Sequence, residues 1–566
     1  MEHANVFLGA AYCCDTLTQS DTRRDFDRMR QAGLNLVRLG KNVWECWEPR
    51  EGEYDFTSLH RDLTLAQKCG LQVLVEVPTG SVPGWLARKL SAEPAGFLGD
   101  PCFLQCQDRL ISQLLEQCRP YSCVAGYQTG CHGDTPAGIA LSARQAEQLK
   151  KGCRPGQTVT GQIPLFRGAD PFSQARPLDT AGCAVYHPAG LKDTGAEISL
   201  SGDLARGVKN KDYLVLDTQC QGRPGQLPYP GQLRLWAYHH LACGAQGLVY
   251  SSWHSDPRPG CLEKGILSHD GHPNGCYEEL CRIGQELSTL GEHLAGLKKQ
   301  NRVAIVYSPR SEKNWPATGE KRYDDYFRWI YESFYRLNIE VDILPDTQRD
   351  FTGYELLVAP GLYCAEDNLI WAIRDYVAGG GNLIATFRSF FADEKGFVRR
   401  ELQPYGMTDV FGMHYDAYTI PEETCLPEYD AAVSDWMELL KPDTAMSLAV
   451  YDSPGWRGIP AAACSRFGKG RAAYIGCYSE DGFEPILLRL LAMWHVPVPE
   501  IAWPVVQKRA VSREGKPLTF LLHYSHATRV IPSPATGWDL FAGVRREEGE
   551  PLELKPWEVL ILEGNV

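Results

Sequence analysis

Short apolar runs alternate with amphipathic segments through the first three hundred residues. The runs are Val6 to Tyr12, Leu34 to Leu39, Leu71 to Val77, Cys123 to Thr129, Thr158 to Ile163, Ala181 to Tyr186, Tyr213 to Leu216 and Gly247 to Trp253. Between the first two lies a helical pattern in which Phe26 and Met29 share a face and Gly33 supplies the stop. Strands that are apolar on both faces and alternate with helices imply a parallel sheet, and eight such units close as a (β/α)8 TIM barrel over residues 1–300.

The pattern then restarts. Arg302 to Ser308, Ile339 to Leu344, Tyr354 to Pro360 and Gly380 to Thr386 read as strands, with helices over Tyr323 to Arg336 and Glu366 to Ala378. This predicts a doubly wound, flavodoxin-like domain over 301–502. From 503 to 566, alternating segments such as Leu518 to His523 and Trp557 to Leu562 are separated by turn residues, which predicts a small antiparallel β-domain.

Composition narrows the class of partner. The chain has 566 residues, 44% apolar and 22% charged, with a net charge of -13. Binding polyphosphate needs clustered Lys and Arg, so no nucleic-acid or anionic-membrane partner is expected. No apolar run approaches the roughly 20 residues of a membrane span. The first apolar run has no basic stretch before it and reads as a strand rather than a signal peptide. Twenty Cys are scattered without the spacing of a disulfide framework, and several lie inside apolar strands, so a reducing cytoplasm is the expected setting.

In a barrel of this kind the chemistry sits where the strands end. Those ends carry Arg38 and Lys41, then Glu76, then Cys131, His132 and Asp134, then Tyr186 and His187, then Asp217, and last Trp253, His254 and Asp256. Trp44, Trp47, Trp85 and Trp253 with carboxylates between them suit a sugar, whose apolar face stacks on indole while its hydroxyls take hydrogen bonds. A rim filled by the same tryptophans for packing alone is the competing reading.

The segment from Leu36 to Phe56, with Arg38, Gly40, Trp44 and Glu48-Pro49, resembles the second-strand region of family 42 glycoside hydrolases, the β-galactosidases of clan A. Pro78 to Leu86, Pro230 to Trp236, Ala242 to Tyr250 with Trp253, and Glu263-Lys264 are similar to the same family in the same order. The resemblance implies a retaining glycosidase, with one carboxylic acid after the fourth strand and a carboxylate nucleophile at the seventh. It implies as well that the second domain, related to class I amidotransferases, makes a homotrimer. By the same resemblance Arg38 matches the clan's second-strand Arg, Trp253 its eighth-strand Trp and Glu263 a sugar-hydroxyl ligand of the family, while Tyr186 or His187 lies near its sixth-strand Tyr.

Both catalytic positions depart from that pattern. The family's Asn-Glu pair is absent from Gly126-Tyr-Gln-Thr-Gly-Cys-His-Gly-Asp134, where either a deletion has removed it or Cys131 and His132 replace it. His132 and Asp134 are the candidate proton donors there, with a polar surface loop as the alternative. Asp217 stands where the family has Glu, which retracts the carboxylate by one methylene. Lys41 occupies a position where Glu is common, and Glu76 one where Gly is common. Lys41 is either solvated or paired with Glu76 or, with Arg38 and His132, makes the pocket cationic enough for an anionic sugar.

The sequence thus predicts a glycoside hydrolase with a divergent site, Asp217, His132 and Asp134 carrying the chemistry, and Arg38, Lys41, Trp44, Glu76, Tyr186, His187, Trp253 and Glu263 holding a carbohydrate. The alternative is a non-catalytic sugar-binding or scaffolding protein of the same fold. No cofactor is expected. No metal is expected either, because close Cys-x-Cys spacing is lacking.

Overall fold

The structure is a computed structural model that describes residues 5–12, 19–79, 82–90, 97–130, 135–166, 168–221, 226–255 and 265–564. It divides into two compact units, one of residues 1–299 with 504–566 and the other of residues 300–503.

The first unit is built on a closed parallel barrel of eight strands. These are β1 (Phe7–Ala11), β2 (Leu36–Leu39), β3 (Gln72–Glu76), β4 (Val124–Thr129), β5 (Thr158–Gln162), β6 (Thr180–Val185), β7 (Tyr213–Thr218) and β8 (Ala245–Tyr250). Each pairs with the next, and β8 closes on β1 through Phe7↔Gly247 to Ala10↔Tyr250. Every residue of β1, β2, β7 and β8 is buried, as expected where helices cover a sheet whose other face fills the barrel. The (β/α)8 barrel read from the sequence is present, with one informative difference. Asp217, expected just past a strand ending at Leu216, lies within β7, because Ala184 and Val185 of β6 continue to pair with Asp217 and Thr218.

Residues 504–566 form antiparallel sheets, with a five-stranded one running Val505–Val511, Pro517–His523, Val559–Glu563, Gly537–Asp539 and Val544–Arg546 in spatial order. This sheet meets the barrel helix Gln232–Ala242, all eleven residues of which are buried. His239 on that helix bonds Tyr524 Oη at 2.6 Å through Nδ1 and Ser199 Oγ at 2.7 Å through Nε2. Arg234 holds Glu286 at 2.8 Å while its guanidinium lies 4.2 Å from the ring of Phe541.

The second unit holds a seven-stranded sheet. Its order is Val341–Pro345, Val303–Tyr307, Leu356–Ala359, Asn382–Thr386, Gly470–Ile475, Pro460–Phe467 and Met446–Val450. The first five are mutually parallel, and the last two pairings, through Pro460–Phe467, are antiparallel. Helix Tyr323–Arg336 has the bounds expected from its pattern. No described helix in either unit is long and apolar enough to cross a membrane.

Candidate active site

The interior of the barrel changes character along its axis. Its lower part is an apolar plug of Phe7, Leu36, Leu74, Leu214, Leu216 and Val249. A strand returns to the same face every second residue, so the next interior positions on β2 and β3 are Arg38 and Glu76. The pairing Glu76↔Gln128 sets Gln128 of β4 beside Glu76. A polar layer thus replaces the plug at the carboxyl end of the strands.

Asp217 reaches this layer by a different route. Cys183 of β6 pairs with Val215, and the next residue, Ala184, pairs with Asp217, so β7 carries one residue more than its neighbour. An extra residue of this kind re-aims the side chain that follows it. Here it turns Asp217 inward directly after the interior Leu216. Gly182 on β6 leaves the space, since a Cβ there would meet Leu216 Cδ1 at 2.2 Å.

Three groups bind the layer together. Arg38 Nη1 donates to the carbonyl of Leu216 at 2.5 Å, Nη2 lies 3.5 Å from Asp217 Oδ1, and Nε lies 3.4 Å from Glu76 Oε2. Lys41 Nζ lies 3.8 Å from Asp217 Oδ2, with its side chain 44% exposed. Lys41 therefore pairs with Asp217, where the sequence suggested Glu76. Arg38, Glu76 and Asp217 are 2%, 7% and 8% exposed. Burial pushes the Glu76 carboxyl above its ordinary range; Arg38 and Lys41 pull it back, and Asp217 adds to the rise. Burial pulls the Arg38 guanidinium down, but Asp217, Glu76 and Tyr186 outweigh it and hold it above its usual value.

The remaining candidates separate. Tyr186, partly buried after β6, donates its hydroxyl to Ser251 Oγ at 3.0 Å. His187 stands in the wall instead. It is 3% exposed, its Nδ1 lies 2.9 Å from the carbonyl of Pro188, and its ring sits edge-to-face on Trp236 at 4.4 Å. Trp44 is fully buried against Phe103 and donates its indole N–H to Glu48 at 2.9 Å, so the structure corrects the expectation that it faces the mouth. Its aromatic neighbourhood and that hydrogen bond tie it to the protein interior. Trp253 is also fully buried, edge-on to Tyr277. His132, Asp134 and Glu263 lie outside the described residues. Gln128 and Ser251, which the sequence reading passed over, join the polar neighbourhood. Gln128 was signalled by its spacing of two from Gly126.

Among the described residues, no group of three or more His, Cys, Asp or Glu is arranged to hold a metal ion. A cleft in the second unit is lined by Tyr354, Glu355, Asp375, Tyr376, Asn382 and Trp494. It flanks the amino ends of strands Leu356–Ala359 and Asn382–Thr386, whereas sheets of this kind bind ligands at the carboxyl ends. The barrel layer has the better claim to chemistry.

Comparison with known proteins bears on the same layer. The profile described as "Beta-galactosidase" of glycoside hydrolase family 42 matches residues 11–93 and 138–290, and the one described as "Beta-galactosidase trimerisation domain" matches 301–496. The chain resembles family 42 glycoside hydrolases. It is 23% identical to a β-galactosidase of Heyndrickxia coagulans, with 99% of each chain covered. It is 24% identical to a β-galactosidase of Haloferax lucentense over 85% of this chain and 88% of that one. The solved β-galactosidase from Bacillus circulans sp. alkalophilus superposes with a TM-score of 0.92 at 17% identity, covering 100% of this chain and 99% of that one. The family likeness lapses between residues 93 and 138, the interval that contains β4.

Proposed function

We propose that the chain is a glycoside hydrolase resembling the family 42 β-galactosidases, acting on a glycoside or oligosaccharide through a divergent active site with Asp217 as nucleophile. One observation carries this reading. Asp217 is a buried carboxylate turned into the barrel at the carboxyl end of β7, between the Arg38 guanidinium and the Lys41 ammonium. A carboxylate oxygen placed there is positioned to attack an anomeric carbon. Arg38 orients it from below, and Lys41 and Tyr186 stand where they meet sugar hydroxyls. Glu263 completes the proposed carbohydrate contacts, and His132 and Asp134 stay candidates for proton transfer.

The match of residues 301–496 to a trimerisation domain supports a homotrimer. Sixteen described cysteines are free thiols, which supports a reducing, cytoplasmic setting.

The test is a panel of aryl glycosides and natural disaccharides assayed with the wild-type chain and Asp217→Ala. Loss of turnover by roughly 10⁴-fold in the variant, as for other excised nucleophiles, is expected. Undiminished activity in Asp217→Ala sinks the assignment. Measurable sugar binding with no turnover in the wild type points to the non-catalytic sugar-binding protein.

A further inference from the structure

We propose that Glu76 is the proton donor that partners Asp217. The inference rests on the glycosidase reading above and names a residue for the step that reading leaves open. The described end of β4, Val124–Thr129, carries no carboxylate, and its interior residue is Gln128. The neighbouring strand supplies one. Glu76 is the last residue of β3, paired with Gln128, so its carboxyl enters the polar layer one strand away from the fourth.

The two carboxyl groups of the layer are unequally stabilised. Asp217 faces two cations, Arg38 Nη2 at 3.5 Å and Lys41 Nζ at 3.8 Å. Glu76 meets one guanidinium edge at 3.4 Å, without hydrogen-bond geometry, and its Oε2 accepts no hydrogen bond from the described residues. Of two carboxyl groups in one layer, the partner with fewer cations against it holds a proton more readily. That partner is Glu76, and its upward shift on burial points the same way. The charged or titratable groups that face it are Arg38 and Lys41 from the β2 side and Asp217 from β7, while Tyr186 from the β6 side faces Arg38.

The reaction then balances. An Asp217 oxygen forms a bond to the anomeric carbon as the bond from that carbon to the leaving oxygen breaks, and the leaving oxygen takes the Glu76 proton with the electron pair. Water next attacks the same carbon, Glu76 takes the proton from that water, and the bond to Asp217 breaks. Both side chains return to their first state.

The experiment varies the leaving group. Glu76→Gln in the full chain is expected to lose about 10²–10⁴-fold in kcat/KM on alkyl glycosides or disaccharides, which need protonation to depart. On 2,4-dinitrophenyl glycosides, whose leaving group departs as an anion, cleavage of the glycosidic bond stays within about tenfold of wild type on the same scale. Asp217→Asn loses both substrate classes, which separates failure of the donor assignment from failure of the nucleophile assignment. The unmodified protein gives an independent readout that needs no folded variant. Its kcat/KM falls on the alkaline side for alkyl glycosides and not for dinitrophenyl glycosides. Equal losses on both substrate classes in Glu76→Gln overturn the proposal, as does a leaving-group-selective loss that appears in His132→Asn instead. A wild-type chain with no turnover on any glycoside overturns both readings.

Discussion

Arg38 donates to the backbone carbonyl of Leu216, so the cation of the second strand is tied to the backbone immediately before Asp217. The guanidinium thereby senses both the position of the seventh strand and the charge of its carboxylate. Arg38→Ala leaves Glu76 and Asp217 buried without their common cation. Removing one partner of a buried ionic cluster costs about 3–5 kcal/mol. The expected result is a lower denaturation midpoint for the first unit at unchanged slope, read by urea titration. Arg38→Lys keeps the charge without the planar fork and recovers only part of the loss.

Gly182 leaves the space filled by Leu216, the residue before Asp217. A methyl group there would lie 2.2 Å from Leu216 Cδ1 and 2.9 Å from the carbonyl of Gly161. Overpacking of this order costs about 1–3 kcal/mol. Gly182→Ala is therefore expected to lower the melting temperature by several degrees and to lower kcat/KM more than the fraction unfolded explains. Gly99→Ala, with nothing within 4 Å of the added carbon, is the control that changes neither.

Tyr524 and His239 form a buried link inside the first unit. Tyr524→Phe removes that hydrogen bond, at an expected cost of about 0.5–1.5 kcal/mol. Burial holds the His239 pKa well below 6.5, so the folded ring is neutral while the unfolded ring gains a proton in acid. The folded pKa is depressed, so the contribution to stability is present above pH 6.5 and is lost as pH falls below it. Thermal melts of the wild type between pH 8 and pH 5 should show that decline, and His239→Gln should flatten it.

Glu438 gives the second unit the opposite dependence. It is fully buried, with its Oε1 accepting the backbone N–H of Arg388 at 2.8 Å and its Oε2 the hydroxyl of Tyr474 at 2.9 Å. Burial raises its pKa from 4.5 to about 7. A raised folded pKa means stability that is complete below pH 4.5 and is lost as pH rises through about 7. The loss amounts to about 3 kcal/mol. Glu438→Gln should remove this slope in melts of the full chain between pH 5 and pH 8.

The barrel was legible because its strands are short, mostly apolar runs with helical periods between them. Arg38 and Glu76 were legible for a related reason, since each follows an interior apolar residue by two positions. Asp217 was found from its place after an apolar run, but its inward turn depends on one extra residue in the pairing with β6, which a single strand's sequence does not record. Trp44 misled because an indole near a strand end reads alike whether it faces a sugar or Phe103. In the second unit, Pro460–Phe467 and Gly470–Ile475 escaped notice because runs such as Ala461-Ala-Ala-Cys464 and Ala472-Ala-Tyr474 lack the β-branched residues that mark strands. Their sheet partners stabilise them where propensity does not.

The helix Gln232–Ala242 is buried along its whole length, and residues 504–566 supply part of its cover. More than two hundred residues of another unit are synthesised between that helix and its cover. On the ribosome the second unit is therefore free to fold first, while the barrel waits with that helix uncovered. Protection from aggregation during that interval, by a chaperone or by speed of synthesis, is a requirement written into the order of the chain.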